Sequence, residues 1–112
     1  MLRIRARAYR GAEIALGPGK ADLLEAIAAT GSIRKAAGRN GMSYPRAWKL
    51  VRTMNACFEK PLVVATRGGT GGGRARLSPD GRRILRLYRK LEADCLRVAQ
   101  LTWGKIELEL KR

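Results

Sequence analysis

Residues 31–57 read GSIRKAAGRNGMSYPRAWKLVRTMNAC, and this stretch decides the fold. It contains two helical patterns separated by Asn40-Gly41, a pair that favours a tight turn because glycine tolerates positive φ. Ser43 is placed to cap the second helix. Pro45 then lies in its first turn, where the missing N–H of proline costs nothing. The stretch therefore predicts a short helix, a tight turn and a second, capped helix.

The second predicted helix has an apolar face and a cationic face. The apolar residues recur at helical spacing, which defines a buried face. They are Ala47, Trp48, Val51 and Met54. The opposite face is the candidate recognition face, and its members are Ser43, Tyr44, Arg46, Lys49, Arg52 and Thr53. Together the two helices predict a helix-turn-helix, with an ordinary amphipathic helix and a solvated basic face as the alternative.

Basic side chains are concentrated in one part of the sequence. The 112 residues carry a formal net charge of +15, and residues 34–90 contain 15 basic and 2 acidic side chains. A concentrated positive field attracts polyanions, and nucleic acid is the default polyanion for a soluble domain. A surface that serves solubility alone would mix both signs of charge. We therefore expect a nucleic acid as the partner.

Residues 61–77 predict a β-hairpin. Two strand-like segments, 62–66 and 74–77, flank the segment 68–73, in which five of six residues are glycine. A glycine-rich loop can bring its backbone close to a ligand. We interpret the hairpin as a wing, with a tip of no function as the alternative. The residues expected to bind the nucleic-acid backbone are Arg34, Lys35, Arg67, Thr70, Arg74 and Arg76.

A long helix is predicted over residues 79–102. Ser78 can cap it, Pro79 suits its first turn, and Asp80 lies at the positive end of its dipole. A helix of about 22 residues is roughly 33 Å long, more than a small domain covers alone. We therefore expect it to form a dimer, with a helix covered by its own domain as the alternative. The candidate dimer residues are Ile84, Leu87, Tyr88, Leu91, Cys95, Val98 and Leu101.

Apolar and charged residues alternate at both termini, as in half-buried strands. Residues 1–16 therefore predict an N-terminal strand or hairpin, and residues 105–111 predict a C-terminal strand. Between them lie a three-helix core at 20–57, the wing and the long helix. A chain of this length has little room for a second core, so we expect one domain over 1–112. The expected fold class is α+β, mainly α with a small amount of β.

Several classes of function are disfavoured by residues that the sequence lacks. It contains no histidine, which removes Ser-His-Asp and Cys-His catalysis and the commonest metal ligand. Cys57 and Cys95 form no CxxC pair, so neither a metal site nor a redox motif is expected. We expect binding without catalysis and no cofactor. No long apolar run or secretory signal is present, so we expect a cytoplasmic protein without membrane contact.

A series of short motifs resembles a known family. The motifs are GSI at 31–33, AA at 36–37, GMSY at 41–44, AW at 47–48, MN at 54–55, PLV at 61–63 and GGTGGG at 68–73. Over roughly residues 17–101 the sequence resembles the DNA-binding domain of the ModE family, the molybdate-responsive transcriptional regulators. It is more distantly similar to LysR-type regulators.

The resemblance implies a dimeric winged helix-turn-helix. Its recognition helix would start near Ser43 and Tyr44, residues 68–73 would form the wing tip, and the helix at 79–101 would join the dimer. In ModE the oxyanion is bound by separate C-terminal domains, before which this sequence ends. We therefore do not expect molybdate to bind this chain directly.

Together these observations predict a homodimeric transcription regulator. It would bind double-stranded operator DNA in a sequence-specific way through residues 43–55 and 67–76. One alternative is a sequence-nonspecific nucleic-acid-binding protein, associated with chromatin or RNA. The aromatic content of 5% disfavours stacking on single strands. Another alternative is a protein-interaction module that uses the long helix, with the basic face incidental.

Overall fold

The computed structural model describes residues 1–66 and 73–112. Its elements in chain order are β1 (Ala8–Arg10), β2 (Glu13–Leu16), α1 (Pro18–Thr30), α2 (Ile33–Arg39), α3 (Tyr44–Cys57), β3 (Val63–Thr66), β4 (Arg74–Leu77) and α4 (Pro79–Glu107). Strands β1 and β2 form one antiparallel sheet, and β3 and β4 form another. The predicted fold class is confirmed, an α+β winged helix with a C-terminal helix.

Short-range signals set the boundaries of the helix-turn-helix. Gly31 ends α1 in the left-handed region at φ 71°, and its N–H donates to Ile27 O at 2.8 Å. Ser32 then caps α2, since its Oγ accepts from Lys35 N at 3.1 Å. The turn before α3 contains Gly41 at φ 66°, as the Asn-Gly pair predicts. Gly31 and Ser32 thus mark the boundary between α1 and α2, and Gly41 marks the turn between α2 and α3.

The hydrophobic core lies between α1, α2, α3 and the inner side of the wing. Its largest fully buried side chains are Leu23, Leu24, Ile27, Val51, Met54 and Leu62. Each such side chain contributes about 1.5–3 kcal/mol relative to an exposed position. Ala47, Val51 and Met54 are buried together, so the predicted apolar face of α3 packs inward.

Asn55 fixes the wing relative to α3. Its Oδ1 accepts from Leu62 N at 2.9 Å and from Val63 N at 3.1 Å, and its Nδ2 donates to Val63 O at 3.1 Å. These bonds satisfy backbone groups at the start of β3 that the hairpin itself does not pair. One side chain on the last turn of α3 therefore determines where the wing begins.

The wing and α4 meet at a tight junction. Ser78 N donates to Leu62 O at 2.9 Å, while Ser78 Oγ donates to Pro61 O at 2.7 Å and accepts from Gly81 N at 2.9 Å. Gly81 lies so close to the backbone of Leu62 that a Cβ at this position would overlap Leu62 O. The first turn of α4 is therefore attached directly to the strand that opens the wing.

The N-terminal segment forms a shorter hairpin than the pattern over 1–16 suggests. β1 and β2 pair around Gly11, which has φ 61°. Residues 1–7 lie outside the strand ladder, although their side chains alternate between half-buried and exposed. This segment lies beside α4, because Tyr88 Oη donates to Ala6 O at 2.6 Å.

The predicted C-terminal strand at 105–111 is wrong. Helix α4 continues through Glu107, and residues 108–112 form no strand. A strand needs a neighbour for its backbone N–H and C=O groups, whereas a helix pairs its own. Gly104 does not stop the helix, because a glycine inside a helix costs only about 0.5–1 kcal/mol.

Helix α4 is the longest element. Its 29 residues span about 43 Å. The molecule is correspondingly elongated, with extents of 58 × 31 × 24 Å. The first half of α4 packs against α1 and β4, and the second half is more exposed. Across residues 1–66 and 73–112, no helix combines the length and the hydrophobicity that a membrane span requires.

Candidate nucleic-acid interface

The N-terminus of α3 is built as the sequence predicts. Ser43 precedes the helix in an extended conformation, and its Oγ accepts from Arg46 N at 3.2 Å. This bond satisfies one of the backbone N–H groups that a helix start leaves free. Ser43 is exposed, so its hydroxyl can still donate outward.

The cationic residues of α3 lie opposite its buried face. Arg46, Lys49 and Arg52 are all exposed, and their spacing of three residues keeps them on one side of the helix. Thr53 is half-buried, and its Oγ1 donates to Lys49 O at 2.9 Å. Thr53 is thus already bonded to its own helix, while the three cations extend into solvent.

Arg34 contacts α3 through an aromatic stack. Its guanidinium carbon lies 4.1 Å from the centroid of the Tyr44 ring. Tyr44 in turn meets Trp48 edge to face, with centroids 6.4 Å apart and planes at 85°. A cation over an aromatic ring at an exposed site gains about 0.5–1 kcal/mol. The stack therefore holds the charge of Arg34 above the start of α3.

A groove of about 390 Å³ opens between this stack and the wing. Its lining includes Arg34 and Lys35 from α2, Tyr44 and Trp48 from α3, and Thr66 and Arg74 from the wing. Trp48 is half-buried rather than fully buried, because one side of its ring faces this groove. Residues predicted separately in three elements therefore line one concave surface.

The wing presents two arginines on one face of β4. Arg74 and Arg76 are exposed, and they alternate with Ala75 and Leu77, which are buried. Successive strand residues point to opposite sides, so both guanidinium groups leave the same face. The predicted contacts at Arg67 and Thr70, and the glycine tip at 68–72, lie outside the described residues.

Acidic side chains among the described residues do not neutralise the cations of this interface. Within residues 1–66 and 73–112, seven cations of the interface form no salt bridge with another described side chain. They are Arg34, Lys35, Arg46, Lys49, Arg52, Arg74 and Arg76. The cations that do pair with acids all lie on α4, and they are Arg83, Arg89, Lys90 and Arg97. The positive field over α2, α3 and the wing is therefore available to an external anion.

The candidate dimer residues separate into two groups. Leu87, Leu91, Val98 and Leu101 are exposed, whereas Ile84 and Cys95 are half-buried. Tyr88 is only 3% exposed, since it packs into the core of its own chain. The prediction that Tyr88 faces a second copy is wrong, because its ring and hydroxyl are already used inside the chain.

Two contacts of the site have no signal in the sequence pattern. The stack of Arg34 on Tyr44 joins two helices, and helical periodicity describes each helix separately. The bonds of Asn55 to the wing depend on tertiary approach, although an asparagine in a last helical turn often bonds to backbone. In the part of the chain that the structure describes, no cluster of three or more Cys, Asp or Glu side chains could hold a metal ion.

The sequence of the chain matches a known protein family. Residues 20–82, more than half of the chain, match the family described as bacterial regulatory helix-turn-helix protein, lysR family. The chain belongs to this family. The matched residues of this lysR-family chain begin in α1 and end in the first turn of α4, so they include the groove and the cationic face.

The lysR-family chain also has relatives named ModE, as the motifs indicate, and relatives named Mop. It is 45% identical over 80 residues to the molybdenum transport protein ModE of Azotobacter vinelandii, covering 71% of the chain and 30% of that relative. The molybdenum-pterin-binding protein MopB of Rhodobacter capsulatus is 42% identical, with 70% and 29% covered. The DNA-binding transcriptional dual regulator ModE of Escherichia coli is 42% identical, with 63% and 27% covered. The chain thus spans under a third of the length of these relatives.

Proposed function

We propose that this lysR-family chain is a transcriptional regulator that binds double-stranded operator DNA sequence-specifically as a homodimer. The observation that carries the proposal is the joint placement of α3, α2 and β4. Arg46, Lys49 and Arg52 are exposed on a helix that fits a major groove roughly 12 Å wide. The groove between Arg34 and Arg74 lies beside that helix, where a phosphate backbone could follow it.

The two sets of cations have different roles in this proposal. Arg46, Lys49 and Arg52 read base edges, with Ser43, Tyr44 and Thr53 at the border of the contact. Arg34, Lys35, Arg74 and Arg76 bind phosphates, together with Arg67 and Thr70 of the glycine-rich segment. An arginine paired with guanine discriminates by about 1–3 kcal/mol, whereas phosphate contacts add affinity without sequence information.

The relatives support DNA binding more directly than any other activity. One of them is named a DNA-binding transcriptional dual regulator. The family match covers the helix-turn-helix and both described strands of the wing. The molybdenum-related names belong to proteins more than three times as long as the matched segment. Molybdate is therefore not among the ligands that we propose for this chain.

The decisive experiment begins with selection of bound sites from a random duplex library. Affinities of the wild type, Arg46→Ala, Arg52→Ala and Arg74→Ala are then measured on the selected site and on a shuffled duplex. Arg46→Ala and Arg52→Ala should weaken binding to the selected site about tenfold and leave the shuffled duplex nearly unchanged. Arg74→Ala should weaken both alike and reduce the slope of affinity against salt by about 1.

Arg83→Ala is the matched control. Arg83 is 55% exposed and pairs with Asp80 on α4, outside the groove, so this change should leave both affinities as they are. If Arg74→Ala changed the preferred sequence, the division of roles would be contradicted. If the library yielded no preferred sequence at all, the sequence-nonspecific alternative would replace the proposed function.

Homodimer formation rests on the exposed apolar residues of α4. Leucines at this exposure on a small protein indicate a surface that associates. A symmetric dimer should prefer an inverted repeat with half-sites about 34 Å apart. Sedimentation velocity at micromolar concentration measures the state directly, and a monomer there would contradict the homodimer and this spacing.

A further inference from the structure

The ring of Tyr44 is held in place by its own helix and by the core. Tyr44 is the first residue of α3, and its half-buried side chain packs against the hydrophobic core. Trp48, four residues later, meets the ring edge to face with centroids 6.4 Å apart. Residues four apart lie on the same side of a helix, so α3 itself keeps the two rings together. The ring of Tyr44 therefore has a fixed position at the start of α3.

Arg34 lies on this ring rather than against an acid. Its guanidinium carbon is 4.1 Å from the ring centroid, so the group lies over the face of the ring. Within residues 1–66 and 73–112, Arg34 forms no salt bridge. A carboxylate would occupy N–H groups of the guanidinium, whereas an aromatic ring contacts only its flat face. The N–H donors in the plane of Arg34 therefore remain available to an external acceptor.

The stacked guanidinium stands at the groove of about 390 Å³. Arg34 and Tyr44 line this groove from one side, and Arg74 lines it from the wing. A guanidinium can bind two oxygens of one phosphate through parallel N–H bonds. An arginine that moves freely must lose side-chain freedom to make such a contact, and this loss weakens binding. For Arg34 the ring of Tyr44 has already restricted that freedom.

We propose that Tyr44 is a positioning residue, which orders Arg34 for a DNA phosphate at the groove. The inference rests on the proposed function and deepens it, because it assigns how Tyr44 acts at the border of the contact. The ring supports the guanidinium, and the guanidinium binds the phosphate. The effect of Tyr44 on DNA binding therefore depends on the presence of Arg34, and the Tyr44 hydroxyl is not needed.

A double-mutant cycle on the full chain tests this dependence. Affinity for a random-sequence duplex is measured for the wild type, Tyr44→Leu, Arg34→Ala and the double variant. Tyr44→Leu should weaken binding about two- to tenfold, the range expected when one more side chain must be ordered on binding. In the Arg34→Ala background the same change should have no further effect, because no guanidinium is left for the ring to hold.

Tyr44→Phe separates the ring from the hydroxyl. Phenylalanine keeps an aromatic face under the guanidinium, so its affinity should stay within about twofold of the wild type. If Tyr44→Phe weakened binding as much as Tyr44→Leu, the hydroxyl would contact the DNA directly. That result would overturn the positioning role.

Lys35 provides a matched control in the same groove. It is an exposed cation next to Arg34 on α2, but of the described side chains only Arg34 stacks on Tyr44. Lys35→Ala should weaken binding by itself, since it removes a charge from the groove. Tyr44→Leu should then weaken binding by the same factor in the Lys35→Ala background as in the wild type. Loss of that factor with Lys35 as well would mean that Tyr44 has no specific partner.

Nuclear magnetic resonance gives a second measurement that does not depend on affinity. An aromatic ring shifts protons above its face upfield. The side-chain protons of Arg34 should therefore resonate upfield in the wild type and in Tyr44→Phe, and at ordinary positions in Tyr44→Leu. They should stay upfield when duplex DNA is added, because the ring still supports the bound guanidinium. A return to ordinary positions on binding would overturn the proposal.

The outcomes separate this inference from the proposed function. If the wild type binds duplex DNA but Tyr44→Leu is equally harmful with and without Arg34, the positioning role fails and the proposed function stands. A wild-type chain that binds no duplex would overturn both. Urea denaturation of each variant shows that it is folded under the assay conditions. The Tyr44→Phe and resonance measurements remain decisive even if Tyr44→Leu is unstable.

Discussion

The two ends of α4 differ in what lies against them. At the N-terminal end, called the near end, Gly81 touches the backbone of Leu62, Tyr88 is buried, and Arg89 binds carboxylates from α1 and α4. At the C-terminal end, called the far end, Val98 and Leu101 are exposed. The same apolar spacing runs through both ends, so periodicity alone does not distinguish them. The near end belongs to the fold of the chain, and the far end carries the exposed apolar residues on which the proposed homodimer rests.

Arg89 shows how closely the near end is attached. Its guanidinium donates to Asp22 at 2.7 Å, Glu25 at 2.6 Å and Glu92 at 2.7 Å. Partial burial works against its charge, but the hydrogen bonds to Glu25, Glu92 and Asp22 outweigh burial and raise the pKa of Arg89 above its usual value. Changes at the near end should therefore alter the free energy of unfolding, and changes at the far end should alter association.

Gly81→Ala should give the largest effect. The added Cβ would overlap Leu62 O, and a backbone carbonyl at the junction of wing and helix cannot move aside as a flexible side chain can. We expect a loss of about 3 kcal/mol in the free energy of unfolding, measured by urea denaturation. A variant as stable as the wild type would show that this junction can open without cost.

Arg89→Ala should give the second largest loss in the free energy of unfolding. It removes three hydrogen bonds and leaves the carboxylates of Asp22, Glu25 and Glu92 close together. Asp22 and Glu25 are 60% and 53% exposed, so water screens much of the interaction. We expect a loss of about 1–2 kcal/mol, smaller than for a fully buried pair.

Added salt should reduce the difference between Arg89→Ala and the wild type, because it screens the repulsion among the remaining carboxylates. Arg83→Ala removes one ion pair from the exposed surface of the same helix and serves as the control. Equal stability of Arg83→Ala and Arg89→Ala would mean that α1 and α4 are held by apolar packing alone.

Tyr88→Phe should cost about 1 kcal/mol at neutral pH, since it removes the hydrogen bond to Ala6 O. The hydroxyl also makes stability depend on pH. Burial, with the charge of Glu92 adding to it and that of Arg89 opposing it, raises the pKa of Tyr88 above its usual value. The native chain therefore holds this proton more tightly than the unfolded chain does.

The sign of this dependence follows from linkage. The contribution of the Tyr88 proton is complete below about pH 10, the ordinary tyrosine pKa, and is lost as pH rises towards the folded value. Urea denaturation of the wild type from pH 8 upward should therefore show a steeper loss of stability above about pH 10 than Tyr88→Phe shows. Parallel curves would contradict the assignment of that loss to Tyr88.

Gly104→Ala should give the smallest effect and the opposite sign. A Cβ at this position meets no atom within 4 Å, and the residue lies inside the helix. We expect a gain of about 0.5–1 kcal/mol from the reduced freedom of the unfolded chain. Thermal denaturation beside Gly81→Ala compares the same substitution at the two ends of one helix. A loss of stability at position 104 would show that another surface packs there.

The features of α3 and of the turn before it were predictable because their signals are local. Gly41 marks the turn, Ser43 the cap, and the spacing of Ala47, Val51 and Met54 the buried face. Each depends on residues within one or two helical turns. The wing strands were predictable for the same reason, since a glycine-rich segment separates two short runs of strand-forming residues.

The features that the sequence did not predict depend on distant contacts. Arg34 meets Tyr44 only because the turn brings two helices together. Tyr88 is buried because the first half of α4 packs against the chain, and the N-terminal segment accepts its hydrogen bond. The segment 105–111 alternates like a strand, yet nothing in an alternating pattern says whether a neighbouring strand exists. Contacts between distant parts of the chain, rather than local conformational preference, decide each of these three features.

Because α4 is unbroken, the direction in which the side chains of its far end point is fixed relative to the wing. Each residue turns an α-helix by 100° and advances it by about 1.5 Å. One residue inserted after Glu92 would aim Val98 and Leu101 in a new direction relative to the wing. Seven inserted residues would return that direction to within about 20° and lengthen each arm by about 10 Å. In the proposed homodimer, the distance between the two DNA half-sites would thus depend on the number of residues in α4.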